Sequence, residues 1–355
     1  MPGRIELKIL ILVVIAYLVF QGVRSFDDAM LFWNKKAYKV VNTGVQSTRD
    51  KIEWMNEDEV LFSGVFSPNL REVETSWDDH VSLYVWNAQR RELSKYKQIN
   101  HNTLCYDSGR IAYFQDERER EDTGEAIRPY FVGKMGQEKR KILNYDNLEV
   151  DRFGFSEYSC RYIERPKGLR EGRGWHALRE EHGGIQSTAG FGDPGNQYKY
   201  YRKNDRPVTL PMDANDYHAR SLQWHEWKQA YFVAGPNHNT EQLEKWQRSG
   251  CLGGYWLFPN GRMEKVCIPS GTWAEYGANF IKPFRDGYVF GVKSIDKVEG
   301  VYVYKDGDAD RIMDGITEEP MISPDGCRVA FSQNPELDPE PGEILRLYTA
   351  KLCDS

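Results

Sequence analysis

The sequence predicts an all-β fold, a single β-propeller of four-stranded blades, and three observations carry that expectation. A tight polar turn followed by an apolar strand recurs along the chain. A second hairpin type, rich in Tyr, Trp and Val, alternates with it. The pattern continues from about residue 50 to the C-terminus, which is how a repeated supersecondary unit shows itself in a sequence. A two-layer sandwich is the alternative, and the even spread of the repeat argues against it.

The elements follow in order. Second strands of the blades are expected at Glu59–Gly64, Arg110–Phe114, Cys160–Ile163, Gln229–Val233, Gly287–Val292 and Cys327–Phe331. Five of the six follow a short polar turn, at 56–58, 107–109, 226–228, 285–287 and 324–326. Such turns use Asp, Asn and Gly for local hydrogen bonds and tolerance of positive φ. Outer hairpins are expected to pair Ser82–Trp86 with Glu92–Tyr96, Pro129–Val132 with Lys141–Leu143 and Tyr198–Tyr201 with Pro207–Leu210. Two more pair Tyr255–Phe258 with Met263–Cys267 and Val301–Tyr304 with Ala309–Ile312. The sum is six blades, with five or seven as the alternatives. The last blade runs out of chain after Leu345–Leu352, its third strand, while the run Ala37–Asn42 has no partner of its own. Docking that run on the last blade would close the ring and cover an exposed sheet edge.

The N-terminus reads as a separate element. Arg4 and Lys8 precede an uncharged run, Ile9 to Phe20, ahead of Val23-Arg24-Ser25. Twelve apolar residues suit the h-region of a signal peptide better than a bilayer span of roughly 20. Counting Ile5, Leu7 and Val23 as well gives an uncleaved signal anchor, with Arg4 and Lys8 held on the cytoplasmic side. Residues 1–25 are thus a signal peptide or membrane anchor, 26–36 a tether and 37–355 the propeller. Both readings export the body to the periplasm or beyond, with membrane contact only through residues 5–23 if they are retained.

Composition excludes some functions. Formal net charge is −6 with 28% charged residues of both signs, and no basic stripe marks a nucleic-acid surface. No phosphate-binding glycine loop, Gly-x-Ser-x-Gly elbow, sialidase-type Ser-x-Asp-x-Gly-x-Thr-Trp box or Cys/His zinc spacing occurs, so no cofactor and no metal are expected.

The decamer Ser323-Pro324-Asp325-Gly326-Cys327-Arg328-Val329-Ala330-Phe331-Ser332 resembles the repeat of the TolB-type, WD-repeat-like propellers. In those repeats a Ser-Pro-Asp-Gly turn precedes a Val/Ile-Ala-Phe strand. The resemblance covers the last blade well and the others loosely. It implies the fold and carries no binding residues across.

Candidate site residues come from loop length. Connections between second and third strands, at 65–80, 115–128, 164–197, 234–254 and 333–344, are long, whereas the other turns are tight. Long loops on a rigid scaffold are where binding and catalysis concentrate. The longest carries Trp175, His176, Arg179, Glu180, Glu181 and His182. Two imidazoles, two carboxylates and a guanidinium could bind a ligand or move a proton, and a solvated, ion-paired loop is the plainer reading. Trp77, Asp79 and His80 could line the channel mouth, and His238 or Trp246 could meet a sugar ring. Two functions compete. One is an interaction module that contacts a protein or an envelope polymer or carbohydrate. The other is an extracytoplasmic hydrolase or lyase acting on carbohydrate or peptide.

Six cysteines are an even number for an exported chain, which permits disulfides. Paired positions in an antiparallel hairpin keep a constant index sum. Cys327 and Cys353 then share the sum that sets Phe331 opposite Thr349, and Cys251 and Cys267 flank the Pro259-Asn260-Gly261 turn. Both pairs are candidate bridges, and a slip of one residue would put the thiols on opposite faces.

Overall fold

The computed structural model describes residues 38–66, 81–99, 104–107, 109–114, 119–120, 126–143, 175–179, 183–187, 194–201, 206–213, 223–234, 251–269, 278–292, 300–315, 320–333 and 346–353. Among the described residues every regular element is a β-strand, and all pairing is antiparallel.

The described residues begin with one long strand, β1 (Val40–Trp54), followed by β2 (Glu59–Phe66), β3 (Ser82–Asn87) and β4 (Glu92–Gln98). Then come β5 (Leu104–Asp107), β6 (Arg110–Phe114), the short β7 (Glu119–Arg120), β8 (Ala126–Lys134) and β9 (Lys139–Leu143). Four-stranded sheets follow: β10 (Trp175–Arg179) to β13 (Val208–Asp213), by way of β11 (Gly183–Ser187) and β12 (Gln197–Tyr201). The next is β14 (Gln223–His225), β15 (Ala230–Ala234), β16 (Cys251–Leu257) and β17 (Met263–Pro269). After it come β18 (Ala278–Phe284), β19 (Gly287–Val292), β20 (Gly300–Lys305) and β21 (Asp308–Asp314). Last are β22 (Met321–Ile322), β23 (Arg328–Gln333) and β24 (Arg346–Lys351).

The expected outer hairpins all form, as do the second strands of five sheets. The third sheet corrects the reading of its segment. Cys160–Ile163 lies outside the described residues, and the strand in second position is Gly183–Ser187, preceded by Trp175–Arg179. The stretch 164–197 is therefore not one long connection.

The strand β1 serves two sheets. Val40, Val41 and Asn42 pair with Ala350, Thr349 and Tyr348 of β24, while Ile52 to Trp54 pair with β2. Gln46 is matched on both sides, to Arg346 and to Val65. The result is one seven-stranded sheet, β22-β23-β24-β1-β2-β3-β4. Thr43 Oγ1 donates to Leu347 O at 3.1 Å within the crossing.

A cross-strand aromatic pair recurs where second and third strands meet. Phe62 faces Tyr84, Tyr113 faces Phe131, Phe232 faces Trp256, Phe290 faces Tyr302 and Phe331 faces Tyr348. Their ring centroids are 5.0 to 6.1 Å apart. Each ring buries about 150–250 Å², and each pair adds about 0.5–1.5 kcal/mol beyond that burial. These rings feed apolar clusters, most of which lie between successive sheets. One cluster joins Val60, Phe62 and Trp86 to Ala330 and Leu347. Another joins Leu61 and Leu83 to Leu104, Ile111 and Tyr113. Ile185, Tyr198 and Tyr200 meet Trp224 and Tyr231 on one face of the β14–β17 sheet, and Phe232 and Trp256 meet Ile281 and Phe290 on the other.

The Ser323–Gly326 turn shows why that tetrapeptide is used. Gly326 N–H donates to Ser323 O at 2.8 Å, Arg328 N–H to Ser323 Oγ at 2.8 Å and Cys327 N–H to Asp325 Oδ1 at 3.0 Å. Gly326 has φ +72°, and a Cβ there would lie 2.6 Å from Trp227 Cδ1. The Asp306-Gly307 turn, with φ of 57° and 95°, joins Lys305 directly to Asp308, as a two-residue hairpin of the primed type requires.

Cys327 and Cys353 form a disulfide, with Cα atoms 4.9 Å apart across 26 residues of chain. The register is one residue off the expected one: Phe331 lies opposite Tyr348, not Thr349. The bridge tolerates the slip because Cys353 lies beyond the end of β24, where face alternation no longer binds it. Cys267 is also disulfide-bonded, but it faces Gly253, and Cys251 faces Pro269, so the expected direct opposition of the two cysteines is corrected by two residues.

Two outcomes follow. Gly326→Ala should cost about 2–3 kcal/mol through overpacking on Trp227 and the left-handed backbone. Gly109→Ala, at φ +81° with nothing within 4 Å, should cost only about 1 kcal/mol, and urea denaturation of both variants separates the two effects. Cys353→Ser should cost about 3.5 kcal/mol by loop entropy, read as a lowered thermal midpoint under non-reducing conditions.

Candidate functional site

Antiparallel sheets give the body two unlike ends. Links from first to second strand and from third to fourth are tight hairpins at one end, such as Phe284 to Gly287 and Lys305 to Asp308. Second-to-third links leave from the other end and are longer, as from Phe66 to Ser82, Ala234 to Cys251 and Gln333 to Arg346.

At the turn end several first turns touch one another. Arg285 N–H donates to Gly326 O at 3.0 Å, and the Trp227 ring lies on Gly326. The Arg328 guanidinium donates to Glu57 O at 2.6 Å and pairs with Asp58 at 2.8 Å. Here too sits His225, 2% exposed, with neither ring nitrogen hydrogen-bonded. Burial, and secondarily the charge of Lys282, holds its pKa well below the ordinary imidazole value. Lys282 is itself 2% exposed on β18, where sequence alternation leaves it amid Phe280, Ile281 and Phe284. Away from this cluster, burial and then the hydrogen bond to Glu138 push Tyr96 up to about 12. Burial raises Tyr113 and Tyr198 as well.

At the loop end, Phe66 is half exposed where β2 stops. Beside it in the sheet, Gln46 is fully buried and neither atom of its amide has a partner. Opposite it stands Arg346, also buried, with its pKa lowered by burial. Directly opposed residues project to one face, so an amide and a guanidinium share the root of the 334–345 connection. Such a pair suits a carboxylate or another acceptor-rich group. Among the described residues no group of three or more His, Cys, Asp or Glu is placed to hold a metal ion.

Of the residues picked from sequence, Trp77, Asp79, His80, Glu180, Glu181, His182, His238 and Trp246 lie outside the described residues. Trp175, His176 and Arg179 are described by backbone alone. They lie on β10, a first strand whose hairpin closes at Arg179–Gly183, not on a second-to-third connection. Gln46, Gln223, His225, Lys282 and Arg346 went unnoticed in the sequence. The available signal was a polar side chain inside an apolar strand, as in Phe280-Ile281-Lys282-Pro283-Phe284.

No protein-family model matches this sequence, and neither does any curated protein. Among solved structures the chain is similar to TolB from Acinetobacter baumannii, at 10% identity and a TM-score of 0.39, over 77% of this chain and 60% of that one. It is similar to the β-propeller domain of the Trilobed protease from Pyrococcus furiosus, at 10% identity and a TM-score of 0.45, over 87% and 97% of the two chains. A third is the acylaminoacyl peptidase of Pyrococcus horikoshii, at 10% identity and a TM-score of 0.36, with 81% of this chain covered. The chain spans 42% of that peptidase's length.

Replacing Gln46 by Leu removes a buried amide that has no partner, and an unpaired group of this kind costs about 1–3 kcal/mol. Gln46→Leu should therefore leave the urea midpoint unchanged or raise it. A clear fall would mean that the amide is engaged in solution.

Proposed function

We propose that this chain is a six-bladed β-propeller, closed by Val40–Asn42 acting as the fourth strand of the last blade. In this reading it is a binding module that meets its partner through the long-loop end. The observation that carries the reading is the order of packing. Three apolar clusters each join a sheet to the next one in the chain, another joins β2 and β3 to β23 and β24, and the β14–β17 sheet is covered on both faces. A sandwich would fold alternate strands onto a single shared core. A ring of radially packed sheets accounts for successive contacts and for a first strand paired to the last. The contrast between tight hairpins at one end and long connections at the other supports binding at the long-loop end.

The partner is a protein or an envelope polymer outside the cytoplasm. Residues 1–25 are the export signal or anchor and 26–36 the tether. No helix among the described residues is long and apolar enough to cross a membrane.

Photo-crosslinking in cells tests the orientation. A benzophenone side chain at Phe66, at the loop end, should give adducts, and one at Gln89, exposed in the Asn87–Arg91 turn, should give none. Adducts from Gln89 alone, or equally from both, would overturn the assignment. A phosphatase fused after residue 40 should be active only outside the cytoplasm, and cytoplasmic activity would remove export.

A further inference from the structure

His225 ends β14 and opens the turn that leads into β15. Its imidazole is enclosed by Trp256, Trp227 and Phe232, with centroids 5.3, 6.1 and 6.3 Å away and interplanar angles of 75° to 86°. No acceptor reaches either nitrogen. The charged and titratable groups around it are otherwise engaged or repulsive. On its own turn, Glu226 accepts from Trp224 Nε1 at 2.6 Å and Gln229 Nε2 at 2.7 Å. Lys228 lies over the Trp256 ring at 5.6 Å and pairs with Glu264 of β17 at 3.7 Å. The adjacent sheet contributes Lys282, a second buried cation, together with Tyr288, Tyr302 and Tyr304 around the same cluster. On the facing turn, Asp325 is bound to Cys327 N–H and Arg328.

We infer that the His225 enclosure is a proton-operated latch: an imidazolium formed there leaves the aromatic box and carries Trp227 off Gly326, so that the Glu226–Gln229 turn separates from the Ser323–Gly326 turn. The mechanical link is Trp227, which touches the His225 ring on one side and Gly326 on the other. Its own Nε1 is buried without a partner, so no hydrogen bond fixes it in place. Ring faces attract a cation but supply no counter-charge. Burying an ion without a counter-charge costs several kcal/mol, and Lys282 adds to that cost.

The sign follows from linkage. The imidazole pKa is lower in the closed state than in the open one, so the open state binds more protons. Stability is complete above about pH 6.5 and is lost as pH falls below it, with the closed-to-open ratio dropping about tenfold per pH unit until the closed-state pKa is reached.

Hydrogen exchange on the full chain, at pH values from 7.5 to about 4.5, reads this directly. The amides of residues 226–229 and 326 should lose protection about tenfold per unit below pH 6.5, reversibly, while the Asp306-Gly307 hairpin keeps its own. His225→Phe keeps the aromatic packing and should flatten that profile. Lys282→Met, which removes a charge that lowers the closed-state imidazole, should keep the onset at about pH 6.5 and make the loss level off at a higher pH. Simultaneous loss at both hairpins in the unaltered chain would overturn the latch, as would one unchanged profile in both variants.

Discussion

Burying both faces of a short antiparallel sheet is the constraint on which this structure depends. The strand β15 shows it most plainly, since all five residues of Ala230–Ala234 are buried. A half-exposed strand alternates apolar with polar side chains, but one covered on both sides must be apolar throughout. The same constraint explains the aromatic pairs between second and third strands. Those strands are the middle of each sheet, with a neighbour on either side in the hydrogen-bonding direction, and in the β14–β17 sheet both faces are covered. Large flat side chains fill that wedge with few rotamers to freeze. Outer strands escape the constraint and read differently, as in β21, where Asp308 to Asp314 are exposed or half-buried.

Polar groups caught in such an interior have few partners available. Gln46 sits where β1 is hydrogen-bonded along both edges, and His225 sits where three aromatic rings close over a turn. Gln46 lies in the middle of β1, and His225 ends β14 at a tight turn. The two sites differ in kind. The Gln46–Arg346 pair offers donors at the root of a long connection, whereas the His225 enclosure offers only ring faces.

Turns were the legible part of the sequence. Asp306-Gly307, Arg285-Asp286 and Ser323–Gly326 announce themselves because their backbone geometry restricts residue choice, and each fixes the strands on either side. Register was less legible. The long 334–345 loop between β23 and β24 sets no register of its own and leaves the pairing free to shift, so that Phe331 meets Tyr348. The third sheet was misplaced because Trp175–Arg179 and Gly183–Ser187 carry glycines and charges, while Cys160–Ile163 has the more strand-like composition. The candidate loop residues were chosen by loop length and side-chain chemistry, and most fall outside the described residues. The buried polar groups were missed for a different reason. A single Lys or His in an apolar strand looks like a solvent-facing position until the second covering sheet is known.

The pairing of β1 with β24 also has a mechanical meaning. Val40, the first paired residue, lies opposite Ala350, close to where the Cys327–Cys353 bridge fastens the other strand. Tension applied through the chain ahead of β1 therefore reaches the pair Val40 and Ala350 first. Meanwhile β24 is held by its covalent tie to the start of β23. The strand that would yield first under load is thus the one shared between the first and last sheets, and the bridge confines the damage to that seam.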